Sequence, residues 1–156
     1  MFREMRRKKQ QLTEEEAKKI LQEGDMGVLG LIGDGAYPYT VPVNYLYAEG
    51  KIYIHTATEG HKIDALQHNP KLSFVVVAQK DVIPEDLTTH YRSVIVFGRG
   101  SIIREEKEKK RIICLFSRKY SDDEAYIEKT ADRLLSHFVC IAVEIEHMTG
   151  KGKQDG

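Results

Sequence analysis

The sequence predicts a mainly β protein, a six-stranded antiparallel β-barrel with peripheral helices. Three observations carry that expectation. Short runs of β-branched and aromatic residues follow one another as hairpins, separated by turn residues. Strand and helix do not alternate regularly, which disfavours a parallel α/β sheet. The 156 residues are 41% apolar, enough for one buried core in one domain.

The chain opens on a basic cluster, Arg3 to Lys9, read as a solvated arm over residues 1–11. A helix then starts at Thr13, which with Glu16 has the spacing of a capping box, and stops at Gly24. Ala17, Ile20 and Leu21 form its narrow apolar face. Met26 to Ile32 reads as a buried strand, closed by a Gly33-Asp34-Gly35 turn. Tyr37 to Tyr47 is a second strand in which Pro42, lacking an N–H, calls for an edge, a bulge or a barrel corner. Glu49-Gly50 turns the chain into a third strand, Lys51 to Ala57. Gly60 to Asn69 is a short helix ended by Asn69-Pro70.

Leu72 to Ala78 is strongly β-branched and reads as a strand buried on both faces; Lys80 to His90 reads as a polar loop. Tyr91 to Ile103 is a long strand whose Gly98 and Gly100 mark a bend or a close backbone approach. Helices follow at Glu105 to Tyr120 and from an Asp122 or Asp123 cap to Leu135. The last strand spans His137 to Glu146. The organisation expected is an arm (1–11), one barrel domain (12–147) and a fraying tail (148–156).

Charge and composition exclude several classes. Lys and Arg total 24, as do Asp and Glu, so no net basic footprint suggests nucleic acid. Cys114 and Cys140 lie in apolar runs and read as core fillers; two cysteines form neither a disulfide scaffold nor a zinc site. The six histidines show no metal-ligand spacing, so no metal is expected. No run reaches the roughly 18 apolar residues of a membrane span, and the charged start is no secretory signal. A cytoplasmic location is the expectation.

The segment Tyr53-Ile54-His55-Thr56-Ala57-Thr58-Glu59-Gly60-His61-Lys62 carries the chemistry. A strand ends in hydroxyl residues, a glycine follows, and a helix opens with a lysine. Unpaired N–H groups at a helix start favour an anion, and Gly60 lets one approach the backbone. Lys62 adds a full charge and Thr56 and Thr58 add hydroxyl donors, together suiting a phosphate monoester. The same residues are also compatible with an ordinary strand-to-helix turn. His55 reads either as a hydrogen-bonded strand filler or as a group that titrates near neutrality. Alternation puts Arg92 and Ser93 on opposite faces of their strand. Arg92 suits either a phosphate or a carboxylate across the sheet. No nucleophile with an adjacent base is visible, which disfavours a hydrolase.

Taken together, four segments resemble the pyridoxamine 5′-phosphate oxidase-like FMN-binding split barrels, nearest to the nitroimidazole-resistance branch. Tyr53 to Ala57 with Gly60 to Leu66 and Asn69 to Phe74 is similar to the flavin-phosphate segment of that family. Tyr91 to Gly100 resembles a later strand, Thr40 to Tyr45 the strand that meets the flavin ring, and Met148 to Lys151 the usual ending. The resemblance spans about Leu12 to Lys151.

It implies a six-stranded split barrel and a homodimer holding FMN at its interface. It further implies that Thr56, Ala57, Gly60, His61 and Lys62 form the cofactor turn, with Lys62 and Thr56 on the phosphate and Arg92 assisting. Val43 and Asn44 would lie along the ring, Ser93 near its polar edge, and His55 close to the flavin as the catalytic group. Residues that bind pyridoxal phosphate in the true oxidases are not recognisable. The expected function is thus an FMN-dependent oxidoreductase reducing a small acceptor such as a 5-nitroimidazole. The alternatives are a flavin- or haem-binding module without turnover, and a deazaflavin enzyme on the same fold. No dinucleotide fingerprint is present, so the sequence does not name the electron donor.

Overall fold

The computed structural model describes residues 1–152, with the side chains of all except 79–82, 86 and 89. Residues 153–156 of the expected tail lie outside the described residues. The strands are β1 (Met26–Ile32), β2 (Pro38–Asn44), β3 (Leu46–Ala48), β4 (Lys51–Thr56), β5 (Lys71–Ile83), β6 (Thr88–Ile103) and β7 (Val139–Gly152). The helices are α1 (Glu14–Glu23), α2 (His61–His68), α3 (Glu106–Arg118) and α4 (Glu124–Leu134).

All seven strands form one antiparallel sheet in the order β2-β1-β5-β6-β7-β4-β3. The two outermost strands, β2 and β3, are joined by Tyr45 alone. A single residue cannot bridge the edges of a flat seven-stranded sheet, whose strands are about 4.8 Å apart, so the sheet must roll until its edges approach. This is a split barrel. The count is seven, not six, because the expected Tyr37–Tyr47 strand breaks at Tyr45. That ring turns inward, fully buried, and its hydroxyl donates to the Leu21 carbonyl at 2.8 Å. Pro42 does sit on an edge strand, opposite Val28.

Inside the roll, Leu29, Leu31, Ile52, Ile54, Phe74, Val76, Val94, Val96, Ile141 and Val143 form the main core. α1 packs Ala17, Ile20 and Leu21 into this core at one end, and α2 contributes Ala65 and Leu66 at the other. The capping box of α1 forms as expected: Thr13 Oγ1 accepts from the Glu16 N–H and Glu16 Oε1 accepts from the Thr13 N–H. Gly98 and Gly100 meet the expectation of close approach. The β6–β7 register shifts at Gly98, whose α-carbon faces the Glu144 backbone, and Gly100 lies against Leu66 and Leu72.

α3 and α4 cover part of the sheet's outer face. Ile112, Phe116, Ile127 and Ala131 pack on Leu46, Tyr53, Cys140 and Ala142 in a second, separate core. Buried Lys109 of α3 donates to the carbonyl of Leu135, which caps the end of α4, at 2.6 Å and to the Phe138 carbonyl just before β7 at 2.9 Å. Arg111 reaches Glu49 at 2.8 Å, at the two-residue turn of the β3–β4 hairpin. There Glu49 and Gly50 both have positive φ, 57° and 73°, as a type I′ turn requires.

Three expectations are corrected. Lys80 to His90 is not a loop, since β5 and β6 run on as a ribbon as far as the Ile83–Thr88 pair. β7 does not stop at Glu146 but pairs with β6 through Gly152, while Leu12 donates its N–H to the Gly150 carbonyl. β1 and β5 are buried on one face only, with Val28 and Val77 open to solvent.

Candidate functional site

The turn after β4 is open. Residues 57–60 are exposed, and space above Gly60 is clear, with no atom within 4 Å of where a β-carbon would stand. Its φ of 139° and ψ of −176° suit glycine alone. No side chain caps α2, so the first N–H groups of the helix have no side-chain acceptor. Half-buried Lys62 has no hydrogen bond or ion pair among the described residues. His61 is engaged, its ring stacked on Tyr39 at 3.9 Å and its Nε2 3.9 Å from Asp34 Oδ2. Thr56 ends β4 opposite Val139. Thr56, Ala57, Gly60, His61 and Lys62 are therefore together at one barrel end, on the exposed turn that leads from β4 into the uncapped start of α2.

The other sequence-derived residues lie elsewhere. Asn44 is exposed on the outer face of β2, and the Val43 side chain points into the barrel core. Ser93 is buried on the outer face of β6, between Val77 and Lys151 on the neighbouring strands. Arg92 points the other way, and its Nη2 donates to Glu16 Oε2 of α1 at 3.2 Å. From Arg92 to Gly100, beside α2, is eight residues of strand, about 26 Å, so Arg92 and Lys62 are at opposite barrel ends. His55 faces α3, edge-on to Phe116 at 4.9 Å and to Phe138 at 6.3 Å. Desolvation by this packing lowers its pKa below the usual 6.5, although the residue as a whole remains exposed to solvent.

A barrel of this size fills its interior with its own side chains, so a flavin ring is expected on the outer wall, and that wall is apolar. Pro42, Val28, Val75, Ile95 and Thr149 align as one row across β2, β1, β5, β6 and β7. Ser73, Phe97 and His147 form the next row on the last three strands. Val28, Val77, Ile95 and Phe97 are each at least 39% exposed. A groove of about 620 Å³ runs along this wall. Lys151 borders it, lying over the Tyr91 ring and donating to its hydroxyl at 3.1 Å. The sequence signal for this wall is in β5: a strand apolar on both faces needs a cover on both.

The family model described as pyridoxamine 5′-phosphate oxidase matches residues 13–152. The chain belongs to this family. A comparison with curated proteins finds no match. Among solved structures, the chain is similar to a putative 5-nitroimidazole antibiotic resistance protein from Bacteroides thetaiotaomicron. The two are 22% identical, with 90% of this chain and 85% of that one covered and a TM-score of 0.75. It is similar also to the flavocytochrome Anf3 from Azotobacter vinelandii, at 17% identity, 97% and 72% coverage and a TM-score of 0.77. A third is an FAD-binding protein from Mesorhizobium loti, at 24% identity, 92% and 97% coverage and a TM-score of 0.65. These likenesses establish the fold. No helix among the described residues is long and apolar enough to cross a membrane, and none of their His, Cys, Asp and Glu side chains group as a metal site.

Proposed function

We propose that the protein is an FMN-binding oxidoreductase that passes electrons to a small acceptor such as a 5-nitroimidazole. The observation that carries this reading is the open, uncapped start of α2, with Gly60 at φ 139° and Lys62 without a partner among the described residues. The amides and the Lys62 ammonium would hold the phosphate, and the Thr56 hydroxyl would donate to it. The name of the Bacteroides relative supports the choice of acceptor, and the two flavoprotein relatives support the choice of a flavin.

FMN supplies hydride and electron transfer, which accounts for the lack of a nucleophile–base pair. This chain's residues bind, orient and exclude water. His55, at the end of β4 just before the turn, is the proposed proton donor: its protonated ring would give up a proton from a ring nitrogen, and the packing that lowers its pKa makes that form the stronger acid. Asn44 and Ser93 would meet the ring's polar atoms, yet they stand on the outer wall while the phosphate residues stand at the α2 end. A homodimer resolves that separation: a second copy sets its wall against this chain's turn, completing each site and covering the exposed part of the apolar face. Arg92, paired with Glu16 in its own chain, assists only if that ion pair exchanges.

The absorption spectrum of the purified protein tests the reading, followed by anaerobic reduction and addition of a 5-nitroimidazole. A flavin spectrum and reoxidation by the nitro compound are expected. A colourless protein that stays so with added FMN refutes flavin binding. A flavin that no nitro compound or quinone reoxidises leaves a cofactor-binding module, and a sharp Soret band identifies haem.

A further inference from the structure

The basic arm before α1 does not run free. Its base is fixed by a bridge between Gln11 and Lys151 and by a short 3₁₀ turn, Lys8–Gln10. Its tip lies on the outer wall, where the Phe2 ring stacks on His147 at 4.7 Å and 5° and on Phe97 at 5.4 Å and 23°. Between these anchors, Arg3 and Met5 border the wall groove. The arm thus occupies part of the surface that the dimer reading assigns to a second copy.

We propose that residues 1–11 form a displaceable strap over the outer wall, competing with a second copy of the chain for that surface. The inference rests on the reading of the wall as a subunit interface. The strap's hold is weak by construction. Phe2 remains 38% exposed, and its ring contacts among the described residues are the stacks on His147 and Phe97. Arg3, Arg6, Arg7, Lys8 and Lys9, facing a single Glu4, gain more from solvent than from an apolar wall. Ordering the intervening backbone costs entropy at every residue. A partner surface covering the wall exceeds one aromatic stack in area, so it displaces the strap once protein concentration rises. The arm then sets the concentration at which the composite sites assemble.

Sedimentation equilibrium of the FMN-loaded full chain, of Phe2→Ala and of a deletion of residues 2–9 tests the proposal. One aromatic contact corresponds to about a two- to tenfold change in an equilibrium constant. Phe2→Ala should tighten the dimer dissociation constant by about that factor, and the deletion by at least as much. Tryptic cleavage after the arm's arginines and lysines should accelerate as dimer forms. Unchanged or weakened constants in a protein that still dimerises overturn the strap and leave the dimer reading intact. Monomers at every concentration in all three chains overturn both.

Discussion

Replacing Tyr45 by phenylalanine removes one oxygen atom from the point where the sheet closes, and its effect can be worked out from the contacts there. The Tyr45 hydroxyl donates to the Leu21 carbonyl at 2.8 Å, and neither residue is exposed. Leu21 is in the last turn of α1, where carbonyls have no partner within the helix. The ring, edge-on to Phe74 at 5.1 Å and beneath the Lys119 ammonium, keeps its packing in the variant. What changes is one buried acceptor left without its donor, which costs about 1–3 kcal/mol. In a chain of this size each kcal/mol lowers Tm by about 2–4 °C, so a fall of about 2–12 °C is expected by calorimetry. Hydrogen exchange should also quicken at the Tyr45 amide, which donates to the Asp25 carbonyl across the same junction. An unchanged Tm would refute the claim that Tyr45 pins α1 into the barrel end.

Other expectations follow from single contacts. Gly98→Ala drives a methyl group into the Glu144 backbone and should cost about 3 kcal/mol in denaturant melts, whereas Gly50→Ala, in open space, suffers only its positive φ and should cost about 1 kcal/mol. His55 binds its proton more weakly folded than unfolded, because packing lowers its pKa. Its contribution to stability is therefore complete above the unfolded pKa near 6.5 and is lost as pH falls toward the lower folded value. The pH slope of the melt in that window should flatten in His55→Phe; an unchanged slope would place its origin in another group. Burial pushes the Cys140 thiol up to about 12, so iodoacetamide should leave it unlabelled at pH 8 until the protein is denatured.

Much of this architecture is legible in local sequence, for physical reasons that also explain the misses. Thr13 and Glu16 form the capping box because both hydrogen bonds lie within one turn, and Gly60, read as a point of close backbone approach, stands exposed with a φ of 139°. Glu49-Gly50 makes its hairpin for the same local reason. The break at Tyr45 was hidden, since an aromatic residue inside a β-branched run looks like strand, and only barrel closure turns it inward. The β5–β6 ribbon was read as loop because its polar sequence lacks the alternation that burial imposes. β7 was cut short at Glu146, although Gly150 and Gly152 are held there by β6 and by close contact with Leu12. For the candidate site, the contiguous turn residues came together as the sequence suggested. Asn44, Ser93, Arg92 and His55 belong to other faces, a separation decided by which strand lies beside which, and no local pattern records that.

The central claim is that the α2 start recognises a phosphate ester, and comparing FMN with riboflavin, identical but for that group, tests it most directly. By fluorescence titration, the account predicts FMN to bind about ten- to a hundredfold more tightly, the worth of one charge-assisted contact. Lys62→Ala should bring FMN down toward riboflavin and leave riboflavin itself unmoved. Equal affinity for the two flavins, or a Lys62→Ala variant that keeps the full preference, would contradict it.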